Sequence, residues 1–273
     1  ANLVKSPHVI HFLGLLRHPT YGLGLLMPRM RGSLNSLLCN STVKVAPSQR
    51  VFWAQLAGMS ILALHEMGIL HRDIKSHNFL YDGDGPDIRI VVTDLGTSRI
   101  SLKTGATCTS QSQSFTTMFW GAPELMLSET EGVLRPTPAM DVYSFGVTLW
   151  EMATSRVPFD GMDLQQFFSR MCRYTSLPGA VHPLVGMLGE VDVPEGYLEV
   201  MCQCLRARPD ERPRMKEVVV QLGRVYERMA IAGGESCPSM AQITRQLEQL
   251  MEEVREAKED IAAILPAEEA PLF

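Results

Sequence analysis

The stretch HRDIKSHNFL at residues 71–80 decides how the whole chain is interpreted. It brings an aspartate, a lysine and an asparagine close together, at Asp73, Lys75 and Asn78. Taken alone, a histidine-arginine-aspartate tripeptide is weak evidence, because most such tripeptides lie in polar surface turns. The choice between a surface turn and an active site therefore depends on the residues further along the chain.

Four further features come after this stretch in a fixed order. An aspartate-led triplet ends a predicted strand 21 residues after Asp73, and an Ala-Pro-Glu triplet closes a long segment rich in serine and threonine. A predicted apolar helix then opens on an aspartate, and a later arginine lies within the sequence ERPRM. In order, these features are Asp94-Leu95-Gly96, Ala122-Pro123-Glu124, Asp141 and Arg212.

Over roughly residues 1–228, this series resembles the eukaryotic protein kinases, in which the catalytic loop, the magnesium-binding triplet and the APE triplet occur in the same order. The sequence HRDIKSHN and the tryptophan before the APE triplet are most similar to the tyrosine-kinase-like group of serine/threonine kinases. The fold that the resemblance implies is α+β and protein-kinase-like. It would consist mainly of the helical C-terminal lobe, with the last strands of the N-terminal lobe and a C-terminal amphipathic helix.

Phosphoryl transfer depends on positioning and on neutralising developing charge, and the resemblance assigns these tasks to individual residues. Asp73 would accept the proton of the substrate hydroxyl, and Lys75 would meet the γ-phosphate of ATP. Asn78 and Asp94 would hold Mg²⁺, which prefers hard oxygen ligands. Thr117 matches the threonine of serine/threonine kinases that contacts the catalytic aspartate and lysine. Together with Lys75, it predicts a serine or threonine hydroxyl of a protein substrate as the acceptor.

Other matched residues would support the site without taking part in the chemistry. The resemblance implies a buried ion pair between Glu124 and Arg212, which would tie the APE segment to the late helices. It also implies that Asp141 accepts hydrogen bonds from the backbone of the catalytic loop, with His71 packed beneath that loop.

The loop between the two triplets is the predicted activation loop. Arg72 would pair with a phosphate on it, and we expect at least one serine or threonine within residues 97–117 to be phosphorylated in an active form. Two positions depart from the family pattern: Leu95 replaces the usual phenylalanine, and Thr116 stands where a glycine is common.

On the nucleotide side, the segment GLGLLMPRMRGSL at residues 22–34 resembles the last strand of the N-terminal lobe running into the hinge. Met27 would be the gatekeeper, and the backbone of Met30 would meet the adenine of ATP. A kinase also needs a glycine-rich loop, a phosphate-binding lysine and the helix glutamate that pairs with it. None of these precedes the segment, where Lys5 is the only lysine.

Two hypotheses account for the missing half of the nucleotide clamp. In the first, the sequence is a fragment of an active kinase, which the start without methionine and the complete set of catalytic-side residues favour. In the second, the product is a catalytically inactive, pseudokinase-like scaffold that binds protein partners. The predicted organisation is a remnant of the N-terminal lobe and hinge over residues 1–30, a C-terminal lobe over 31–229, and a linker with an amphipathic helix over 230–273.

Local patterns predict the main elements. Apolar residues recur on one helical face at Phe52, Leu56, Met59 and Ala63, which predicts a helix from Pro47 to near Gly68. The pattern from Asp141 onward is apolar nearly all round, which is typical of a central helix. Strands are predicted at residues 8–13, 21–27, 78–81 and 88–93, with a turn at Arg17–Thr20 between the first two.

Near the C-terminus, apolar residues alternate spacings of four and three over about three heptads. They are Ile243, Leu247, Leu250, Val254, Ala257, Ile261 and Ile264. This apolar seam favours two structures equally: a coiled coil, which would allow self-association through residues 243–264, or an amphipathic helix that lies on the domain.

Composition argues against nucleic-acid-binding, membrane-spanning and disulfide-rich proteins. The net charge of −5 gives no electrostatic case for binding nucleic acid or an anionic membrane. The apolar stretches are far shorter than the roughly 20 residues of a membrane-spanning helix. Six cysteines in 273 residues do not form a disulfide framework, so we expect a reducing compartment, the cytoplasm.

Overall fold

The computed structural model of the protein describes residues 6–20, 22–39, 45–95, 99–100, 115–127, 136–233 and 240–264. Its strands are β1 (Gly14–His18), β2 (Gly22–Leu26), β3 (Gly32–Ser33), β4 (Ile69–Leu70), β5 (Phe79–Asp82), β6 (Arg89–Val92) and β7 (Arg99–Ile100). Its helices are α1 (Leu34–Leu38), α2 (Pro47–Glu66), α3 (Pro123–Leu127), α4 (Pro138–Thr154), α5 (Leu164–Ser176), α6 (Pro183–Gly186), α7 (Glu195–Cys204), α8 (Met215–Gly233) and α9 (Met240–Ile264).

The strands form three small antiparallel sheets, so the described fold is α+β with most of its mass in helices. β1 pairs with β2, β5 lies between β3 and β6, and β4 pairs with β7. The strands predicted at 21–27, 78–81 and 88–93 are confirmed as β2, β5 and β6 within one or two residues at each end.

The strand predicted at residues 8–13 is wrong. Only Val9 makes a bridge there, with Val92 of β6, and the neighbouring Ile10 N–H donates to the Val92 carbonyl at 3.0 Å. β1 begins instead at Gly14 and runs through Arg17, in the predicted turn, because its five residues pair in register with β2. Val9 and Ile10, before β1, are buried and contact β6 at Val92, whereas Leu13 is exposed.

α2 crosses the centre of the described fold. It starts with proline at its first turn, where a missing N–H costs nothing, and ends just before Gly68, whose φ of +71° favours glycine. The predicted apolar face is only part of what α2 buries. Val51 and Ile61, on other faces, are buried as completely as Met59, because α8, β6 and α4 surround the helix.

α4 is the second central helix, and the prediction of a helix apolar on nearly every side is confirmed. Fourteen of its residues are buried, including the polar Asp141 and Glu151. The helix begins at Pro138, three residues before Asp141, so that this aspartate lies in its first turn. Buried acidic groups in so apolar a helix require hydrogen-bond donors from neighbouring elements.

α9 lies on its own domain, with its apolar seam facing α2 and α8. Its residues at positions 243, 247, 250, 254 and 257 are at most 6% exposed, because they pack on α2 and α8. Gly223 of α8 permits this approach: a Cβ there would lie 2.9 Å from Ile243 Cδ1. Over residues 243–257 the seam is therefore buried against its own domain, as the amphipathic-helix interpretation predicts, and self-association through residues 243–264 stays a prediction. The side chains of Ile261 and Ile264 lie outside the described residues.

Within the described ranges, none of the helices combines the length and the uninterrupted apolar run that crossing a bilayer requires.

Candidate active site

The catalytic-loop sequence is fastened to the start of α4 by one carboxylate. Asp141 Oδ2 accepts the N–H of His71 at 2.9 Å, and Oδ1 accepts the N–H of Arg72 at 2.8 Å. His65 Nε2 of α2 lies 3.0 Å from Oδ2. Burial alone would raise the pKa of Asp141, but the hydrogen bond and charge of His65, aided by the loop donors, hold it below its usual range.

These hydrogen bonds accompany a backbone conformation that residues other than glycine rarely adopt. Arg72 has a φ of +72°, in the left-handed region, where a non-glycine residue is strained. The two hydrogen bonds to Asp141 hold the two peptide groups that precede the Cα of Arg72, those that carry the N–H groups of His71 and Arg72.

The buried ring of His71 joins this loop to the strand that leads to Asp94. His71 Nδ1 accepts the N–H of Asp73 at 3.2 Å, so its other nitrogen carries the proton in the neutral ring. That nitrogen, Nε2, lies 2.8 Å from the carbonyl of Thr93. The predicted place of His71, packed beneath the loop, matches this geometry.

The carboxylate of Asp73 has one hydrogen-bonded oxygen and one unpaired oxygen. Lys75 Nζ lies 2.8 Å from Oδ2, and Asn78 Nδ2 donates to the same oxygen at 2.9 Å and to the Asp73 carbonyl at 2.8 Å. Oδ1 is buried and has no hydrogen-bond partner among the residues that the structure describes. An ionised carboxylate with one fixed and one unpaired oxygen can accept a proton from an incoming hydroxyl.

Asp94 follows β6 with an exposed side chain and a left-handed φ of +61°. The N–H of the preceding Thr93 donates to the Asn78 carbonyl at 2.9 Å, which ties the two predicted metal ligands to one another. With its amide nitrogen engaged by Asp73, Asn78 has its side-chain oxygen left as a ligand. An amide oxygen and a free carboxylate fit Mg²⁺ as a donor set. No cluster of three or more His, Cys, Asp or Glu side chains suited to a metal occurs in the described ranges.

Glu124 and Arg212 form the ion pair that the resemblance implies. Arg212 Nη1 and Nη2 donate to the two Glu124 carboxylate oxygens at 2.7 and 2.8 Å. The side chain of Arg212 is fully buried. The pair joins α3, which begins within the APE triplet, to the segment just before α8.

For the remaining predicted site residues, the structure shows no contact with the Asp73 cluster among the described side chains. Met27 and Met30 lie in the irregular segment between β2 and β3, partly exposed, and their contacts with adenine remain a prediction. Thr117 lies in the short helical turn Phe115–Trp120, but its side chain is outside the described residues. The phosphorylation predicted for the activation loop falls almost wholly on residues 97–98 and 101–114, which also lie outside them.

Sequence reasoning missed Glu151, in the same helix as Asp141. Its carboxylate receives hydrogen bonds from Ser76, in the catalytic loop, and from Trp120, in the turn before the APE triplet. Burial raises the pKa of Glu151 to about 7, although the three donors and the charge of Lys75 oppose the shift. The signal in the sequence was a lone glutamate inside a helix predicted to be buried all round.

Comparison with known proteins agrees with this geometry. The family model described as "Protein kinase domain" matches residues 1–222. The probable serine/threonine-protein kinase drkB of Dictyostelium discoideum is 35% identical over 223 residues, which are 79% of this chain and 29% of that protein. A putative mitogen-activated protein kinase kinase kinase 7-like protein of Drosophila melanogaster is 31% identical, over 72% of this chain and 47% of its own length.

A third relative, the dual specificity protein kinase shkA of Dictyostelium discoideum, is 28% identical over 81% of this chain and 40% of its own length. The chain thus spans less than half the length of these curated relatives. The expected protein-kinase-like α+β fold is confirmed, and the matched region holds every residue of the Asp73 cluster. This chain belongs to the protein kinase family.

Proposed function

We propose that the chain is the catalytic part of a protein serine/threonine kinase, which transfers the γ-phosphate of ATP to serine or threonine hydroxyls of proteins. The observation that carries the proposal is the state of Asp73. One of its oxygens is held by Lys75 and Asn78, and the other is unpaired among the described residues.

In this mechanism, Asp73 Oδ1 accepts the hydrogen of the acceptor hydroxyl and orients that hydroxyl toward the γ-phosphate. Lys75, held against Oδ2, places a positive charge beside the transferring group. Asn78 and Asp94 are the residues that would hold Mg²⁺ on the nucleotide phosphates. The metal, when bound, neutralises charge that develops on those phosphates.

The acceptor is proposed from two residues and from the relatives. Lys75, two positions after Asp73, and Thr117 match the serine/threonine pattern, and the names of drkB and shkA cover serine/threonine and dual specificity. Peptides that differ only in a central Ser, Thr or Tyr test this step. Transfer to Ser or Thr is expected, and transfer to Tyr alone would exclude the assignment.

We further propose that a longer protein supplies the rest of the nucleotide clamp. The β1–β2 hairpin supports this, because its leucines are at least half exposed, which is unusual for a finished sheet. The relatives are also much longer than this chain. The exposed leucines are Leu13, Leu15, Leu16, Leu23, Leu25 and Leu26. The proposed divisions are residues 1–30, 31–229 and 230–273.

The second candidate is a pseudokinase-like scaffold. It is favoured by one feature: the only lysine ahead of β1 in this sequence is Lys5, which is not placed to be the phosphate-binding lysine. Against it stands the intact catalytic-side set, since Asp73, Lys75, Asn78 and Asp94 are all present. Under either function we propose protein substrates or partners and a cytoplasmic location, in keeping with the free state of the described cysteines: Cys39, Cys172, Cys202 and Cys204.

The experiment that separates the two is transfer of labelled phosphate from Mg·ATP to a generic protein substrate, by the longest natural protein that contains this chain. A kinase transfers phosphate above the background of a sample without enzyme. A scaffold shows no transfer at any concentration, while it still binds a partner protein.

A further inference from the structure

Glu151 makes three hydrogen bonds from within the core. Its Oε1 accepts the Ser76 hydroxyl at 2.7 Å, and its Oε2 accepts the Ser76 N–H at 3.2 Å and the Trp120 indole N–H at 2.7 Å. The residue is 3% exposed. A buried carboxylate is costly unless its oxygens are well supplied with donors, and here both are.

The two donors belong to loops with different tasks. Ser76 directly follows Lys75, whose Nζ contacts Asp73, and it starts the turn that ends at Asn78. Trp120 ends the turn that contains Thr117 and stands two residues before the APE triplet. Asp73 and Trp120 also line one small cavity.

The chemistry of the donors explains why a carboxylate is present. The backbone N–H and the indole N–H can only donate, so both need an acceptor on Glu151. A glutamine would offer one oxygen to both N–H donors and turn its NH₂ group to the Ser76 hydroxyl, and it would lack the negative charge that strengthens these hydrogen bonds. An apolar residue of similar size would fill the space in a core without the cost of burying a charge.

Ser76 also joins the network to α1. Its hydroxyl donates to Glu151 and lies 3.4 Å from Asn35 Nδ2 of α1, the helix that follows the predicted hinge. A proline at this position would lack the N–H. The serine therefore supplies two of the three hydrogen bonds that Glu151 receives.

We propose that Glu151 is a positioning residue for phosphoryl transfer, which sets the Asp73–Lys75 pair against the acceptor-side loop through Ser76 and Trp120. This inference rests on the proposed kinase function. It assigns Glu151 no contact with substrate. Loss of the carboxylate releases the catalytic loop from the loop that presents the acceptor, while the nucleotide side keeps Asn78 and Asp94.

The first measurement does not depend on catalysis. In this chain, the indole ¹⁵N–¹H resonance of Trp120 reports its hydrogen bond, and Trp120→Phe assigns the signal. Glu151→Gln is expected to move this resonance upfield and to speed its exchange with solvent. The indole of Trp150, which donates to the Leu184 carbonyl, is the internal control and keeps its position. An unmoved Trp120 signal overturns the bridge.

The second measurement is steady-state kinetics in the longest natural protein that contains the chain. Glu151→Gln is expected to lower kcat about 10- to 100-fold, the effect of losing a hydrogen bond to a charged group. The KM for ATP stays within about twofold. Ser76→Ala added to Glu151→Gln lowers kcat no further, because both act through one bridge. If Glu151→Gln does not fold, Trp120→Phe decides, with an expected loss in kcat of about 10-fold.

The outcomes separate this inference from the proposed function. A moved Trp120 resonance with unchanged kcat in Glu151→Gln, in a protein whose Asp73→Asn variant is inactive, overturns the positioning role and leaves the kinase assignment intact. A lower melting temperature with unchanged kcat for the folded fraction assigns Glu151 a purely structural role and likewise overturns the proposal. A wild-type protein without phosphoryl transfer overturns both.

Discussion

Replacing Arg212 by methionine tests the ion pair that joins the APE segment to the late helices. All five N–H groups of Arg212 have partners. Nε donates to the Arg206 carbonyl at 2.8 Å, Nη1 and Nη2 each donate to Glu124, and they also reach the carbonyls of Ala139 and Ala207 at 2.9 and 3.0 Å. Methionine keeps much of the apolar stem and removes every one of these donors.

The burial of the ion pair sets how much unfolding free energy the variant is expected to lose. Arg212 has no exposed side-chain surface and Glu124 is 16% exposed, so the variant leaves a mostly buried carboxylate without its partner. Removing one member of a buried pair costs about 3–5 kcal/mol. The whole free energy of unfolding of a domain is about 5–15 kcal/mol. The midpoint of urea unfolding is therefore expected to fall by about 1–2 M.

A matched control lies four residues earlier. Arg208 Nη2 pairs with Asp210 Oδ2 at 2.9 Å, but the Arg208 side chain is 69% exposed. Arg208→Met is expected to leave the midpoint nearly unchanged, because solvent screens the pair. Urea unfolding followed by tryptophan fluorescence and by circular dichroism measures both variants. Equal midpoints for the two would refute the argument from burial.

Three further predictions concern other parts of the molecule. Burial, with a smaller contribution from the charge of Arg212, lowers the pKa of His182 to about 3 from its usual 6.5. Below pH 6.5, His182 is therefore protonated in the unfolded chain and neutral in the folded chain. As the pH falls below 6.5, this difference lowers the free energy of unfolding by about 1.4 kcal/mol per pH unit. His182→Gln removes that slope in urea unfolding between pH 5 and 7, and identical slopes in both proteins would contradict the assignment. Leu250→Ala in α9 is expected to cost about 2–5 kcal/mol, whereas Gln249→Ala on the exposed face costs little, and equal losses would show that α9 is not docked. Calorimetry with Mg·ATP is expected to detect weak binding or none by this chain alone, because the lysine–glutamate pair is missing; tight binding would show that the N-terminal lobe has been misplaced in the sequence.

Much of the fold was predictable because it depends on local patterns. The spacing of apolar residues predicted α2 and α4, and the proline at the start of α2 and the glycine after it marked the ends of that helix. The pattern could not tell that α2 is surrounded, since residues such as Ile61 are buried by α8, β6 and α4, which lie far away along the chain. The strand predicted at residues 8–13 was wrong because a strand needs a pairing partner along its length, and β6 forms only one bridge with this segment.

Some residues of the candidate site could likewise be predicted from the sequence, and others could not. The family resemblance singled out Asp73, Lys75 and Asn78, and their contacts with one another are short-range in the sequence. Glu151 was missed because its partners, Ser76 and Trp120, are 75 and 31 residues away. The seam of α9 had a clear period, but a period alone does not say whether a second copy or the chain's own domain covers it.

Phosphoryl transfer by Asp73→Asn tests the central claim most directly. Asparagine keeps the shape of the side chain and its contact region with Lys75 and Asn78, but it cannot accept the proton of the acceptor hydroxyl. In the longest natural protein that contains this chain, labelled phosphate from Mg·ATP is expected to reach a serine/threonine substrate with the wild type and to fall to background with Asp73→Asn. Equal transfer by both proteins would contradict the assignment of Asp73 as the catalytic base.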